Sequence, residues 1–300
     1  MKKIFSLFLS LIIAVSAFSI ADFSAFASDT VKVSIKVEVN YDNAAKMIQM
    51  INKARKKRGL RPVKADKTLT NAAIQRAAEC AMRMGHEHKR PNGTSFRTSS
   101  SKVKHENVWA GYTSDYSEWK VKEAFDSLME SPAHKANTLR KDSVSVGVAC
   151  IICENQTIYT QEYGTSKGSG EKRKGKESKK IKFSVSKSNL KLICKKDLYY
   201  TDLNKVYFDG DREKTRVKTF GYHSESSLKD WYTNNHAFPP PLSYKLFNYS
   251  SSNKKIFTVN KKGVITVKKP GKATLTVTLK GNKNVKFKKK IKFIRNDFDY

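Results

Sequence analysis

The sequence predicts an α+β domain followed by a smaller all-β domain. Up to about residue 164, helical and strand patterns mix without a regular strand-helix-strand order, which is typical of α+β folds. From residue 181 onward the recognisable patterns are β, as in the alternation of Ala273, Leu275, Val277 and Leu279 with polar residues, and a small β-sandwich fits them. The segment 165–180 between the two is rich in Gly, Ser and Lys and has no apolar residue, so it is predicted to be a basic flexible linker.

Residues 1–27 have the features of a signal peptide. Two lysines precede an apolar run over residues 4–20, and small residues at 25 and 27 suit signal peptidase, with 19–21 as a second cleavage site. The alternative is a retained membrane anchor, for which the apolar run is short. We therefore expect a secreted or cell-surface protein.

The predicted elements of the first domain follow from apolar spacing. Residues 31–39 alternate with period two, which predicts a strand or an extended arm over residues 28–41, and the domain proper is placed at 42–164. Apolar residues recur at helical spacing in three segments, which cover residues 42–58, 69–84 and 117–129. Pro132 should prevent continuation of the third helix, which leaves His134 just past a helix end. Two alternating segments, 144–153 and 157–163, predict a hairpin.

The second domain, placed at 181–300, contains one segment that fits this strand rhythm poorly. Turn residues at 260–263 and 268–271 separate short strands. Residues 204–244, with three consecutive prolines, are predicted to be an inserted loop.

The net charge of +32 is concentrated in the second half of the chain. From Thr165 onward there are 34 Lys and Arg against 11 Asp and Glu, a net charge of +23. Such a field favours polyanionic partners, which for an exported chain are anionic cell-wall polymers or a membrane surface. The alternative is a solvated sheet face, because the lysines alternate with apolar residues. The export signal and the lack of a recognised motif argue against nucleic acid.

Four cysteines allow several disulfide arrangements in an exported protein. They are Cys80, Cys150, Cys153 and Cys194. Cys150 and Cys153 are three residues apart on one predicted strand, about 10 Å, so they should not pair with each other. A zinc site built from cysteines is discounted because no second cysteine pair exists.

Histidines and a glutamate in loop-like sequence between residues 88 and 137 are the candidate site residues. Imidazole and carboxylate groups can bind a divalent metal or transfer protons near neutral pH. The sequence around His88 is not H-E-x-x-H, so the zincin mechanism does not apply. No serine or cysteine nucleophile stands out in these motifs.

An ordered set of short motifs resembles the CAP superfamily (cysteine-rich secretory protein, antigen 5 and pathogenesis-related 1) in its bacterial secreted form. These motifs are Ile51-Asn52-x-x-Arg55, Arg76-Ala77-x-Glu79, His88-x-Arg90-Pro91-Asn92-Gly93, Glu106-Asn107, Ser131-Pro132-x-His134-x-x-Asn137, Val146-Gly147-Val148 and Thr160-Gln161-x-Tyr163-Gly164. The resemblance covers residues 42–164, and it implies an α–β–α sandwich with a central cleft.

The resemblance also implies a cleft with two His and two Glu, which hold a divalent metal such as zinc in some members. His88, His134 and Glu106 map onto three of these positions, and the fourth is Glu130, with Glu123 as the alternative. Asn107, Asn137 and Gln161 are expected to support the cleft. A structural role in pairing backbone groups is the alternative for Glu106 and Asn107.

Two departures from the family pattern bear on the cleft. His105 stands where a glycine is usual before Glu106, and Ala133 replaces the glycine before His134. Further along, residues 251–279 resemble a bacterial Ig-like domain, with Val259-Asn260-x-x-Gly263 and Pro270-Gly271 as cues.

The function expected from sequence is that of a secreted or cell-surface binding protein. Its cleft would bind a lipid, glycan or peptide, and the basic Ig-like domain would tether it. The alternative is a metal-dependent hydrolase acting on cell-wall or peptide substrates. Because the CAP family has no established common enzymatic activity, the enzyme question stays open and the expectation leans towards binding.

Overall fold

The computed structural model describes residues 29–82, 88–112, 120–154, 156–188, 190–196, 203–210, 212–222 and 241–296. The predicted signal peptide and the start of the third predicted helix lie outside these ranges. Within them, no helix combines the length and apolar character that a bilayer crossing requires.

The first domain is built on a mixed sheet. Its strands are β1 Thr30–Asn40, β2 Lys64–Ala65, β3 His105–Tyr112, β4 Ser145–Cys153, β5 Gln156–Gly164 and β6 Lys176–Ser186. They are ordered β3-β5-β4-β1-β6, and the short β2 pairs in parallel with β4. The predicted hairpin is β4 and β5, which pair antiparallel along their full length.

Helices cover both faces of this sheet. They are α1 Tyr41–Lys56, α2 Lys67–Met82, α3 Lys120–Glu130 and α4 Pro132–Thr138. Met47 of α1 and Ala124 of α3 pack with Val148 on one face, and Ala77 of α2 packs with Ile151 on the other. Successive residues of a strand point to opposite faces, so β4 serves both layers. The α–β–α sandwich is thereby confirmed.

Gly147 lets α2 lie directly on the sheet. A Cβ at this position would be 1.9 Å from the backbone carbon of Leu69, so any side chain would force the helix away. The strand β4 that crosses under α2 therefore requires glycine here.

The strand β1 is an internal strand of the sheet, and it joins the two halves of the chain. It pairs with β4 at one edge and, from Thr30 to Asn40, with all of β6 at the other. Because β6 begins at Lys176, the last five residues of the predicted linker lie in a strand. The prediction of a flexible linker is therefore wrong for residues 176–180, whose backbone groups pair with β1.

A fragment that ends at Gly164 is expected to be less stable than one that ends at Ser188. The shorter fragment, 29–164, loses the partner of β1 and the buried side chains Phe183 and Val185, and exposed strand edges promote aggregation. We expect a lower midpoint of thermal unfolding and concentration-dependent aggregation for 29–164, measured by circular dichroism and light scattering. Equal unfolding midpoints and two monomeric fragments would contradict this role of β6.

The second domain is a sandwich of two four-stranded sheets. Its strands are β7 Lys191–Lys196, β8 Lys205–Phe208, β9 Lys214–Tyr222, β10 Phe247–Ser251, β11 Phe257–Val259, β12 Val264–Val267, β13 Gly271–Leu279 and β14 Asn282–Arg295. One sheet is ordered β10-β13-β14-β8 and the other β11-β12-β9-β7. Their inner faces meet through residues such as Phe257 and Phe293, whose rings are 4.9 Å apart.

The inserted loop predicted over residues 204–244 is wrong for the part that the structure describes. This stretch contains β8 and β9, and β9 is an inner strand between β7 and β12. Residues 223–240, which include two of the three prolines, lie outside the described ranges.

Two local predictions near the candidate site are also wrong. Pro132 starts the helix α4, since a proline is tolerated in the first turn, so His134 lies within a helix. Glu106 was expected in loop-like sequence, but it belongs to β3. Among the candidate histidines, His88 does lie in a loop.

All four cysteines are free and buried. Cys150 and Cys153 do not pair with each other, as strand geometry predicts. Burial raises the pKa of the Cys80, Cys153 and Cys194 thiols to about 12 and that of Cys150 to about 11. They are therefore protonated and inert at neutral pH.

Candidate functional site

His88 is the exposed member of a buried ionic cluster. Its backbone has a φ of +49°, and its ring lies edge-on to Phe96 at 5.6 Å. The Nδ1 atom is 2.9 Å from Oε1 of Glu106, while 39% of the side chain is exposed. This loop residue therefore connects solvent to the carboxylate behind it.

Glu106 is held at the start of β3 by an arginine from α2. Nε of Arg76 donates to Oε2 of Glu106 at 2.6 Å, and Nη2 donates to Oε1 at 3.2 Å. Burial alone would raise the pKa of Glu106, but the hydrogen bonds from His88 and Arg76 and the arginine charge outweigh it and lower the pKa to about 2. Glu106 is therefore ionised, and both of its oxygens accept hydrogen bonds.

Glu162 lies beside Glu106 in surroundings that favour its protonated form. The two residues are direct partners in the pairing of β3 with β5. Burial, followed by the negative charge of Glu106, raises the pKa of Glu162 well above its ordinary value. Neither oxygen of Glu162 receives a hydrogen bond from a donor. Protonation of Glu162 leaves one negative charge on the two neighbouring acids instead of two.

One more arginine and one more carboxylate, Arg90 and Glu79, complete the cluster. Arg76 also contacts Glu79 at 2.8 Å, and Arg90 contacts Glu79 at 2.6 Å from the loop that carries His88. With Glu162 protonated, the charges of Arg76 and Arg90 balance those of Glu79 and Glu106. The cluster ties α2, β3, β5 and this loop together.

A second polar network lies on the other face of β3. Nδ2 of Asn107 donates to the backbone oxygen of His134 at 2.9 Å and to Gln161 at 2.9 Å. Nδ2 of Asn137 donates to the backbone oxygen of Glu106 at 3.1 Å and to Oδ1 of Asn107 at 3.0 Å. The three predicted supporting residues therefore fasten α4 to β3 and β5.

The four predicted metal ligands do not assemble into a metal site. His88 and Glu106 are in contact, whereas the contacts of His134 described above are made by its backbone oxygen, and Glu130 is exposed at the end of α3. Glu123, the alternative, is also exposed on α3. Across the described ranges, no group of three or more His, Cys, Asp or Glu side chains is placed to hold a metal.

The chemistry of the donors also does not fit a metal. The cationic Arg76 already occupies Glu106, and its charge would repel a second cation at the same carboxylate. Zinc binding remains a prediction of the sequence.

Sequence analysis missed the roles of two buried arginines. Arg76 appeared only as part of a motif, although an Arg and a Glu three residues apart in an alanine-rich buried helix signal a buried ion pair. Arg55, also part of one of the motifs, is fully buried on α1 and donates to four backbone oxygens. These belong to Arg61, Thr138, Arg140 and Ser143.

A second candidate site is the outer face of the β10-β13-β14-β8 sheet. We call it the lysine face, and it comprises the exposed residues Lys205, Lys272, Lys286, Lys288, Lys290 and Lys292. Four of them alternate along β14 with a spacing of about 6.8 Å. None of the six has a carboxylate ion partner among the described residues, and the four strands of this sheet contain no Asp or Glu.

Three residues of the lysine face lie side by side. Lys292 of β14 pairs directly with Lys272 of β13 and with Lys205 of β8. Like charges opposite each other on neighbouring strands are destabilising. An anion bound across this row would relieve the repulsion.

Comparison with known families gives two matches. The model of the cysteine-rich secretory protein family (CAP) matches residues 48–163, and the model of the bacterial Ig-like domain (group 2) matches residues 239–290. No curated protein sequence matches this chain significantly.

Three solved structures are similar to part of this chain. An outer surface protein from Borrelia burgdorferi is 18% identical with a TM-score of 0.35, and the match covers 42% of this chain and 94% of that one. An extracellular protein containing a SCP domain from Bacillus anthracis is 14% identical, with a TM-score of 0.34 and coverages of 42% and 41%. A cysteine-rich secretory protein from Staphylococcus aureus is 18% identical, with a TM-score of 0.31 and coverages of 41% and 39%. The chain thus spans about two fifths of the latter two.

Proposed function

Because the chain carries a domain of the cysteine-rich secretory protein family followed by a bacterial Ig-like domain, we propose that it is an exported binding protein held on an anionic surface polymer. The lysine face is the part of the second domain that makes this attachment. The single observation behind the proposal is the row of Lys205, Lys292 and Lys272 across three strands. None of the three forms an ion pair with an acid among the residues that the structure describes.

The spacing of the lysine face suits a linear polymer with regular negative charges. Lysines that alternate along one strand are about 6.8 Å apart, and the neighbouring strands are about 4.8 Å away. A polymer with a charge on each repeating unit can therefore contact several ammonium groups at once. Attraction of this kind is long-range and is weakened by salt.

The first domain contributes the ligand-binding part of the proposed function. His88 connects solvent to the ionic cluster, so a lipid, glycan or peptide ligand would meet the cluster at this ring. We do not favour a hydrolase, because the pKa of the Glu106 carboxylate is lowered to about 2, which makes it a weak base, and its oxygens already accept from Arg76 and His88. A general base needs a carboxylate that can reach the proton it removes.

Neutralising the lysine face is expected to release the protein from an anionic polymer. The variant Lys286→Gln, Lys288→Gln, Lys290→Gln and Lys292→Gln should bind immobilised poly(glycerol phosphate) at least about tenfold more weakly in about 0.1 M salt. Its affinity should also depend less on salt than that of the wild type. Retention at a series of salt concentrations measures both effects.

The control variant carries the same change of charge in the first domain. Lys53, Lys56, Lys57 and Lys64 are exposed there, and replacing all four with Gln also removes four positive charges. The proposal expects this control to keep most of its affinity. Equal losses of polymer affinity in the two variants would mean that net charge alone is responsible. Tighter binding to anionic lipid vesicles than to the polymer would indicate a membrane surface instead.

A further inference from the structure

A cavity lies where the two domains meet. It has a volume of about 350 Å³, and β1 and β6 of the first domain and β9 of the second contribute to its walls. This volume is within the range of small-molecule sites, which often lie between domains. The contact between the domains is close, since a Cβ on Gly221 of β9 would be 2.9 Å from Cε of Met82 in α2. We call this cavity the interdomain pocket.

The interdomain pocket is rich in positive charge. Lys36 and Lys180 are direct partners on β1 and β6, so two like charges lie opposite each other. Arg216 and Lys262 of the second domain line the same cavity. All four side chains are exposed, and none has a carboxylate within 4.0 Å in the described part of the chain.

One acidic residue also lines the pocket. Glu154, in the turn after β4, is the only acid among the described lining residues, which also include a fifth cation, Lys218. The positive charge therefore exceeds the negative charge. Because cations converge there from both domains, an anion in the pocket would contact both of them.

An aromatic wall lies next to these charges. Tyr244 lines the pocket with 39% of its surface exposed, and it precedes the buried Phe247 of β10. Tyr249 lines it too, with its hydroxyl oxygen 3.4 Å from that of Thr219, and Val217 and Leu242 contribute apolar surface. An exposed aromatic ring offers a flat apolar face with a polar tip. The C–H face of a sugar ring can stack on such a surface while its hydroxyl groups stay hydrated.

We propose that the interdomain pocket binds an anionic sugar unit, whose ring stacks on Tyr244 and whose phosphate or carboxylate lies among Lys36, Lys180 and Arg216. The pocket does not involve the lysine face, since its second-domain walls come from β9, the turn before β12 and the segment around β10. The site would therefore recognise a particular unit, whereas the lysine face responds to charge density.

The test is a binding titration of the full-length protein with each of four probes, measured by isothermal titration calorimetry. They are N-acetylglucosamine 6-phosphate, glucuronic acid, uncharged N-acetylglucosamine and inorganic phosphate. We expect at least one of the two anionic sugars to bind about tenfold more tightly than both the neutral sugar and inorganic phosphate. Whichever anionic sugar binds more tightly identifies the acid group.

Variants separate the two parts of the site. Tyr244→Ala should weaken the anionic sugar about tenfold and leave inorganic phosphate unchanged, because it removes only the stacking surface. Lys36→Gln combined with Lys180→Gln should weaken both. Tyr207→Ala is the matched control, since Tyr207 is the other exposed large aromatic residue among those described, at 49%, and lies outside the pocket.

Several results would overturn the proposal. They are the absence of saturable binding at millimolar concentrations of either anionic sugar, equal affinities for sugar phosphate and inorganic phosphate, or an unchanged affinity in Tyr244→Ala. Thermal unfolding of each variant shows whether a loss of binding reflects loss of folding. Retention on poly(glycerol phosphate), measured in parallel, should be unchanged in Tyr244→Ala, so the pocket and the lysine face can fail separately.

Discussion

We expect Arg76→Met to be destabilised by about 3–5 kcal/mol, because it leaves a buried carboxylate without its cation. Arg76 donates to both oxygens of Glu106 and also contacts Glu79, and all three side chains are almost fully buried. Methionine fills much of the space but provides neither charge nor donor. Chemical denaturation at neutral pH measures the loss.

A second substitution distinguishes lost charge pairing from lost packing. Adding Glu106→Gln to Arg76→Met removes one uncompensated charge, so the double variant should recover part of the lost stability. Arg58→Met, at an exposed position after α1, is the control and should change stability by less than about 0.5 kcal/mol. If the stability losses of Arg76→Met and Glu106→Gln simply added in the double variant, the ion pair would not be the cause.

The Glu162→Gln variant is expected to be more stable than the wild type at neutral pH and similar to it near pH 4. The raised pKa of Glu162 means that the chain must take up a proton when it folds above about pH 4.5. The stabilising effect of the protonated carboxyl is complete below this pH and is lost as the pH rises towards the folded-state pKa. A glutamine is neutral at every pH, so the variant folds without taking up a proton at this position. The two stability curves should therefore diverge by about 1.4 kcal/mol per pH unit above pH 4.5, up to that pKa.

The contribution of Glu106 to folding stability has the opposite pH dependence, so the two acids can be distinguished in a plot of stability against pH. Its pKa is lowered to about 2, so its contribution is present above about pH 4.5 and is lost as the pH falls towards 2. The Glu162→Gln variant should keep this acid-side loss. Glu123→Gln, on the exposed surface of α3, is the control and should follow the wild-type curve. Parallel curves for Glu162→Gln and wild type between pH 4 and 8 would show that Glu162 is ionised in the folded state.

Most of the fold could be predicted because burial leaves a periodic pattern. The alternation in β1 and β13 and the alanine-rich α2 are local features, and each shows which face is buried. The strand at Lys176 could not be predicted in this way, because polar residues and lysines fill its first five positions. Its backbone is ordered by the long-range pairing with β1, and the apolar residues of β6 come later, at Phe183 and Val185.

The candidate site could be predicted only in part, since its contacts join distant residues. The family resemblance identified His88 and Glu106, which are in contact. It did not identify Glu162, because only the register of β3 against β5 places that residue beside Glu106. Pro132 was misinterpreted because a proline can follow one helix and begin another. The mapping of Glu130 rested on sequence position alone, whereas the side chain is exposed at the end of α3.

The four unpaired cysteines have a consequence for how the molecule matures. Because packing, hydrogen bonds and ion pairs hold the fold without a covalent cross-link, the chain needs no thiol oxidase or disulfide isomerase to reach its native state. Its sulfur atoms are also shielded from oxidants, since each is enclosed and protonated. The protein should therefore keep the same structure in reducing and oxidising surroundings.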